Sequence, residues 1–271
     1  MTKEQILKEL DNAFNKFKFF EADHHYECNG KRVGISVTKF IEQYGQEFNA
    51  DEIAEKVADR EWKTKEEVLE EWKYKNQFAC EKGSTIHSYV QSLWEGAELS
   101  PLNFTTWSDN EQMVEVITKL SGIAKSFYED YKSDLTHIAD EYVIGSEEYD
   151  IASAVDHLFI DNKTNALLLI DYKTNTYITG WNKEAYLKPM KSPLEHLNDD
   201  KFNHYKLQLS IYRYIIEKYT NLKIAGMTIV YMSEKNETYE IIDIPYLKED
   251  VENILEWRKF EWKKNIHILK H

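Results

Sequence analysis

Residues 167–175 read LLLIDYKTN, an apolar run that breaks off in an acid, a tyrosine and a lysine. A strand carrying those leucines is built for burial, and burial penalises Asp171 and Lys173. Successive side chains of a strand face opposite ways. Leu167, Leu169, Asp171 and Lys173 therefore share one face, and Leu168, Ile170 and Tyr172 the other. The acid and the base emerge together where the strand ends. Just upstream, residues 149–161 read YDIASAVDHLFID, a second strand-length run in which Asp156 shares a face with Ala152, Ala154 and Leu158. Asp156 precedes Asp171 by fifteen positions (171 − 156), room for one strand, a turn at Asp161-Asn162-Lys163 and a return. Adjacent antiparallel strands would bring both carboxylates to one place.

Two close carboxylates repel and raise each other's pKa unless a cation neutralises them. Asp oxygens and backbone carbonyls are hard ligands suited to Mg²⁺ or Mn²⁺. A neighbouring lysine can orient or deprotonate a water while the metal stabilises charge developing on a phosphate. The strand ending at Lys173 is then a buried rail that delivers an acid and a base to a metal site. An Asp-x-Lys pair alone is weak evidence in a chain with 48 acids and 34 bases. The bland alternative is an ordinary ion pair at a strand end.

The rest of the chain supplies context. Ile6, Leu7, Leu10, Phe14 and Phe17 recur at helical spacing through residues 3–20. Residues 24–36 predict a hairpin turning at Asn29-Gly30. Helices follow near 36–45, 51–62 and 64–76, the last with Thr64 and Glu67 placed as a capping box. A further helix is expected to open at Gly83-Ser84 and to carry His87 in its first turns. After a helix near 109–133 the period changes to strands at 137–145, 149–161 and 166–174. A long irregular connection, 174–201, leads to a helix carrying Gln208 and Tyr212 on one face. There Leu207, Ile211, Tyr214 and Ile215 make the core stripe, with Gln208 and Tyr212 at its border. Two more strands and a helix over 247–264 close the chain. The connection interleaves Tyr177, Trp181 and Tyr186 with Lys183, Lys188 and Lys191, the pattern of a base-stacking, phosphate-tracking surface; the bland alternative is a lid packing its aromatics inward.

The composition is globular, with 42% hydrophobic, 14% aromatic and 30% charged residues in 271. No apolar run approaches the roughly 20 residues that span a bilayer, and the charged N-terminus is unlike a signal peptide, so the expectation is a cytoplasmic protein without a membrane partner. Cys28 and Cys80 are too few and too separated for an iron–sulfur or cysteine–zinc site. The net charge of −14 disfavours nucleic acid only weakly, because a local groove decides binding. The only arginines are Arg32, Arg60, Arg213 and Arg258, so phosphate contacts must rely on lysine. Such lysine-rich usage suits an A·T-rich genome such as a phage's.

The ordered series Gly83-x-x-x-His87, Glu141, Asp156, Asp171-Tyr172-Lys173 and Gln208-x-x-x-Tyr212 resembles the PD-(D/E)XK nuclease superfamily, in particular its RecB-like exonuclease branch, over roughly residues 25–245. Two positions depart from the family pattern: Gln91 stands four after His87, where many relatives carry an acid, and Ala152-Ser153 replace a glycine element.

The resemblance implies an α/β (α+β) fold with a restriction-endonuclease-like core of helix, three strands, helix and strand, its mixed sheet flanked by helices. Residues 109–271 would form that core, and residues 1–108 a helical elaboration packed on it. Asp156, Asp171 and the main-chain carbonyl of Tyr172 would ligate Mg²⁺ or Mn²⁺, with His87 at a second metal position, so two ions are expected. Lys173 would position the attacking water. Gln208 and Tyr212 would brace the site or touch the nucleic-acid backbone. Glu141 would be the first-strand acid, though Glu147, Glu148 and Asp150 compete for that register. The implied activity is hydrolysis of DNA phosphodiester bonds, most simply as an exonuclease in replication, recombination or repair. The alternatives are a structure-specific or restriction-type endonuclease and a non-catalytic binding protein on a nuclease fold.

Overall fold

Thr2 and Gln5 exchange side-chain-to-backbone hydrogen bonds (3.3 and 2.9 Å) and so open α1 (Lys3–Phe14), whose Ile6, Leu10 and Phe14 are buried. The helical spacing predicted to continue past Phe14 does not. Phe17–Phe20 is a strand, β1, paired antiparallel with β2 (His25–Cys28). An aromatic run fits a pleated surface better than a helix interior, and the pairing partner decides. The expected turn is present: Asn29 and Gly30 take φ of 51° and 75°, the left-handed pair a tight hairpin needs, and lead into β3 (Lys31–Arg32).

Next come β4 (Ile35–Ser36), α2 (Val37–Glu42), α3 (Ala50–Glu61) and α4 (Lys65–Trp94). Thr64 and Glu67 do form the capping box that starts α4. No second helix begins at Gly83-Ser84, however: α4 runs unbroken for 30 residues, and His87 lies about six turns along it. A mid-helix glycine costs about 1 kcal/mol. Burial of Ile86, Tyr89, Val90 and Leu93 just beyond it outweighs that, at about 1.5–3 kcal/mol for each large apolar side chain.

The remaining elements are α5 (Glu111–Tyr131), β5 (Leu135–Ser146), β6 (Ile151–Asp161), β7 (Ala166–Lys173), α6 (Lys201–Tyr219), β8 (Ile224–Tyr231), β9 (Glu240–Asp243) and α7 (Lys248–Ile268). This computed structural model describes residues 1–97, 99–184 and 188–268, with side chains to residue 260. β1–β3 make a small sheet, and β4–β9 a larger mixed one in which β5–β6, β6–β7 and β8–β9 are antiparallel and β4–β6 and β7–β8 parallel. The protein is thus mixed α/β. None of the described helices is long and apolar enough to cross a membrane.

The alternation read in residues 167–173 sorts the two faces of the large sheet. Leu167 and Leu169 join a core with α1, α2, α6 and α7, whereas Ile170 and Tyr172 join one with α4 and α5. Residues before 109 enter both cores: Phe14 and Phe40 the first, Ile86 and Val90 the second.

Candidate active site

β5 covers one edge of β6 along its whole length, so β4 and β7 must share the other. β4 pairs with Ile151 and Ala152, and β7 with residues 157–161. Between them the edge of β6 opens; there the Ala154 N–H donates to Tyr26 Oη at 3.1 Å. β7 diverges in turn: Asp171, Tyr172 and Lys173 pair with β8 alone. The last rungs of the β6–β7 ladder, ending at His157↔Ile170, place Asp156 opposite Asp171 at the mouth of this fork. Two strands that part after a buried stem leave their polar ends facing each other across a gap.

Lys173 Nζ bridges the pair, 2.6 Å from Asp171 Oδ2 and 4.0 Å from Asp156 Oδ2. Asp171 is 1% exposed, and neither carboxylate oxygen has an aligned hydrogen-bond donor among the described residues. Burial first, and the Asp156 carboxylate second, push its pKa up to about 7 despite the lysine. For Lys173 burial favours the neutral amine, but Asp171 and Asp156 override it and hold the ammonium well above the usual lysine range. The Tyr205 ring lies 4.7 Å from Nζ. Lys173 is therefore a fixed cation at neutral pH, suited to orienting water and holding negative charge rather than to removing a proton.

The structure also brings His87 and Glu141 here: His87, Glu141 and Asp156 each offer a ligand atom within 4.8 Å of the others. His87 Nε2 is 2.7 Å from the Tyr172 carbonyl, so that nitrogen carries the proton and donates. Enclosure lowers its pKa to about 4 against the pull of Asp171, and a neutral imidazole can ligate. Glu141 faces the Asp156 position from β5, between the rungs Asp140↔His157 and Tyr142↔Val155, and its φ of 45° breaks the strand's regular alternation. Burial raises its pKa, with Asp171 adding to the effect. The competing acids are engaged elsewhere: Glu147 with Lys16, Glu148 with Lys218 and Lys259, and Asp150 with the Gly34 N–H and Arg258.

Tyr212 does not sit at the border of the core stripe, as its spacing suggests. It is 2% exposed, and its hydroxyl accepts from Gln208 Nε2 (2.8 Å) and lies 3.0 Å from Ser153 Oγ on β6. Tyr214, expected in the stripe, is only partly buried. A hydroxyl pays for its burial with hydrogen bonds, and those bonds tie α6 to the strand carrying Asp156. Tyr212 thus braces and cannot touch a ligand. Gln208 is half-buried.

The irregular connection after β7 divides. Trp181, 46% exposed, packs on Phe202 (centroids 5.2 Å apart) and lines a cavity of about 710 Å³ with Lys183 and Lys206. Gly180 opens that cavity at φ 82°; a Cβ there would strike the Asp200 carboxylate within 2.6 Å. Lys188 and Lys191 are exposed but do not line it; the Lys191 N–H is tied to the Tyr44 carbonyl. Tyr186 lies outside the described residues.

Sequence reading missed two groups. One is a basic cleft of about 300 Å³ that continues from Lys173, lined by Thr174, Asn175, Lys82, Lys183 and Lys201. Lys82 is 4% exposed and pairs with Glu234 at 3.1 Å. Desolvation first, and the charge of Lys82 second, push the Lys201 ammonium down. Lys183 belongs to the lysine and aromatic pattern of the connection, but nothing local marks Lys82 and Lys201, which come from α4 and α6. The other is the trio His137, Asp140 and His157 beneath the fork. Its available signal was His157 itself, a histidine inside an otherwise apolar strand.

No family model matches the chain, and no curated protein does. Among solved structures, the chain aligns with the crystal structure of SSO0001 over 64% of its own length and 69% of that chain, at 16% identity and a TM-score of 0.28. A TM-score that low carries no argument about this fold.

Proposed function

We propose that the chain is a Mg²⁺- or Mn²⁺-dependent nuclease of the PD-(D/E)XK type, of the RecB-like exonuclease branch, that hydrolyses DNA phosphodiester bonds. The observation that carries this reading is Asp156 facing Asp171 at the mouth of the β6–β7 fork, with Lys173 Nζ between them. The element order α5–β5–β6–β7–α6–β8 is the one a restriction-endonuclease-like core would have.

The donor set fits a hard divalent cation. Both oxygens of the buried Asp171 lack aligned donors among the described residues, and Asp156, Glu141 and the Tyr172 carbonyl add oxygen ligands. His87 is the one nitrogen donor, which favours Mn²⁺ over Mg²⁺ at its own position. Bound there, the metal would supply Lewis-acid stabilisation of charge developing on a scissile phosphate. The chain's own contribution is positional. Lys173 holds the nucleophilic water and offsets the added negative charge. Gln208 and Tyr212 fix β6, and hence Asp156, through Ser153. Lys82, Lys201 and Lys183 offer the phosphate backbone a seat that leads away from Lys173, and Trp181 and Phe202 offer bases a stacking wall.

The test is incubation with end-labelled linear and covalently closed circular DNA, with Mg²⁺, Mn²⁺ or EDTA. Progressive release of nucleotides from linear DNA only, abolished by EDTA, is expected. Nicking of circles would move the assignment to an endonuclease. Full cleavage in EDTA, or none with either metal, would overturn the metal-dependent nuclease reading.

A further inference from the structure

Beneath the fork, on the face that packs against α4, a second polar cluster is built from a different set of donors. Strand alternation places residues i and i+3 on opposite faces, yet His137 and Asp140 share one. The cause is a bulge: the β5–β6 register shifts between His137 and Ala139, so Ile138 and Ala139 both pack toward the core of α1, α2, α6 and α7. Bulges re-aim side chains in this way and concentrate near functional sites. Asp140 then stands directly across from His157, and His137 across from Phe159.

The three side chains are nearly closed off from solvent, at 12% exposure for His137, 5% for Asp140 and 3% for His157. Both imidazoles converge on one carboxylate oxygen. His157 Nδ1 hydrogen-bonds Asp140 Oδ1, and His137 Nε2 approaches the same atom to 2.8 Å. That second approach lacks hydrogen-bond alignment, so His137 Nε2 is a buried nitrogen with no hydrogen-bond partner among the described residues, as is His157 Nε2. Such orphans are uncommon in a folded interior and call for an explanation. A nitrogen and an oxygen that come close without sharing a proton are placed as two ligands of a third atom would be. Each of the three residues offers a ligand atom within 4.8 Å of the others. Phe159 and Tyr172 wall the cluster, with ring centroids 5.4 Å from His137 and 4.7 Å from His157 respectively.

The geometry points to a second metal site at His137, Asp140 and His157, selective for a borderline transition-metal ion of the Zn²⁺ class and independent of the oxygen-rich fork above it. Two imidazoles and one carboxylate form a three-ligand set that leaves a fourth position open. Asp140 and His157 line a cavity of about 310 Å³ together with Glu141, His87, Gly83 and Gln91, from which a water or an anion could complete the shell. For Zn²⁺ to bind Nδ1, the proton that His157 now donates to Asp140 would move to the unpartnered Nε2, so the imidazole would ligate in its neutral form. Mg²⁺, which demands oxygen ligands, would not compete. The bland alternative is a structural network in which Asp140 simply orients two histidines.

The deciding measurement is Zn²⁺ titration of the full chain carrying Asp156→Asn, which removes a member of the His87, Glu141 and Asp156 group and leaves the lower cluster whole. We expect one equivalent of Zn²⁺ by calorimetry, with a dissociation constant of about 1 µM or tighter, unchanged by a thousandfold excess of Mg²⁺. Adding His137→Gln or Asp140→Asn to this background should weaken binding at least about 100-fold. No Zn²⁺ uptake, or uptake unaffected by His137→Gln in a protein with an unaltered circular dichroism spectrum, would overturn the proposal. Should those variants fail to fold, imidazole nitrogen resonances of the Asp156→Asn protein serve instead. Metal-type shifts of His137 and His157 on adding Zn²⁺ support the site, and resonances that do not move overturn it.

Discussion

Asp171 and Asp140 lie on the two strands that flank β6, and both are almost shut off from solvent. Their carboxyls nonetheless move in opposite directions. Asp171 is pushed up to about 7 by burial and by the Asp156 carboxylate across the fork. Burial would raise Asp140 too, but the His137 and His157 imidazoles beside it bring it down to about 2. The contrast teaches that depth does not decide the state of a buried acid; its partners do. Asp171 faces a second acid and two unsatisfied oxygens of its own, an arrangement that wants a cation. Asp140 faces two nitrogens and is already ionised.

The largest expected effect is on the fork. Asp171→Asn should lower metal-dependent DNA cleavage by a factor on the order of 10³ while DNA binding is kept or strengthened, since a negative charge near phosphate is gone. A gel-based cleavage assay beside fluorescence anisotropy reads both, and wild-type cleavage would dissolve the distinction between the two acids. Lys173→Ala comes next, with an expected loss of about 10² in rate, the lower end for such a group, and an intact fold by circular dichroism. Unfolding would show the lysine to be a structural counter-ion instead.

The pH dependence of stability sharpens the comparison at a smaller scale. Asp171 has a folded value above its unfolded one, so its contribution is full below about pH 4 and is lost as pH rises through about 7. Asp140 has a depressed folded value, so its contribution is present above about pH 4 and is lost as pH falls toward 2. In metal-free urea titrations, Asp171→Asn should flatten the decline between pH 4 and 7, and Asp140→Asn the decline below pH 4. Interchanged effects would contradict the partner assignment.

The smallest effect expected is at the wall of the cavity between the clusters. Gly83→Ala adds a Cβ whose nearest neighbour, Thr174 Oγ1, is an ordinary 3.7 Å away. It should stabilise α4 by about 0.5–1 kcal/mol, a rise in Tm of roughly 2 °C. A calorimetric Tm that falls instead would mean that the wall must stay bare.

Local chemistry determined much of this protein. Two-residue periodicity over 156–173 determines which side chains of β6 and β7 face together, so Asp156, Asp171 and Lys173 are legible as one group from the sequence. The Thr64–Glu67 cap and the Asn29-Gly30 turn were legible because each depends on residues within four positions of one another. What sequence could not supply were features set by distant partners. Phe17–Phe20 left the helix because β2 was there to pair with it. Gly83 failed to break α4 because the buried face beyond it outweighed one glycine. Tyr212 sank into the core because Ser153, fifty-nine positions away, offered its hydroxyl a partner. His137 and Asp140 met on one face because a bulge against β6 overrode the alternation that their spacing implies. Period and capping are properties of a few neighbouring residues. Burial, register shifts and the pairing of charges depend on which segments meet, and only the tertiary structure decided that.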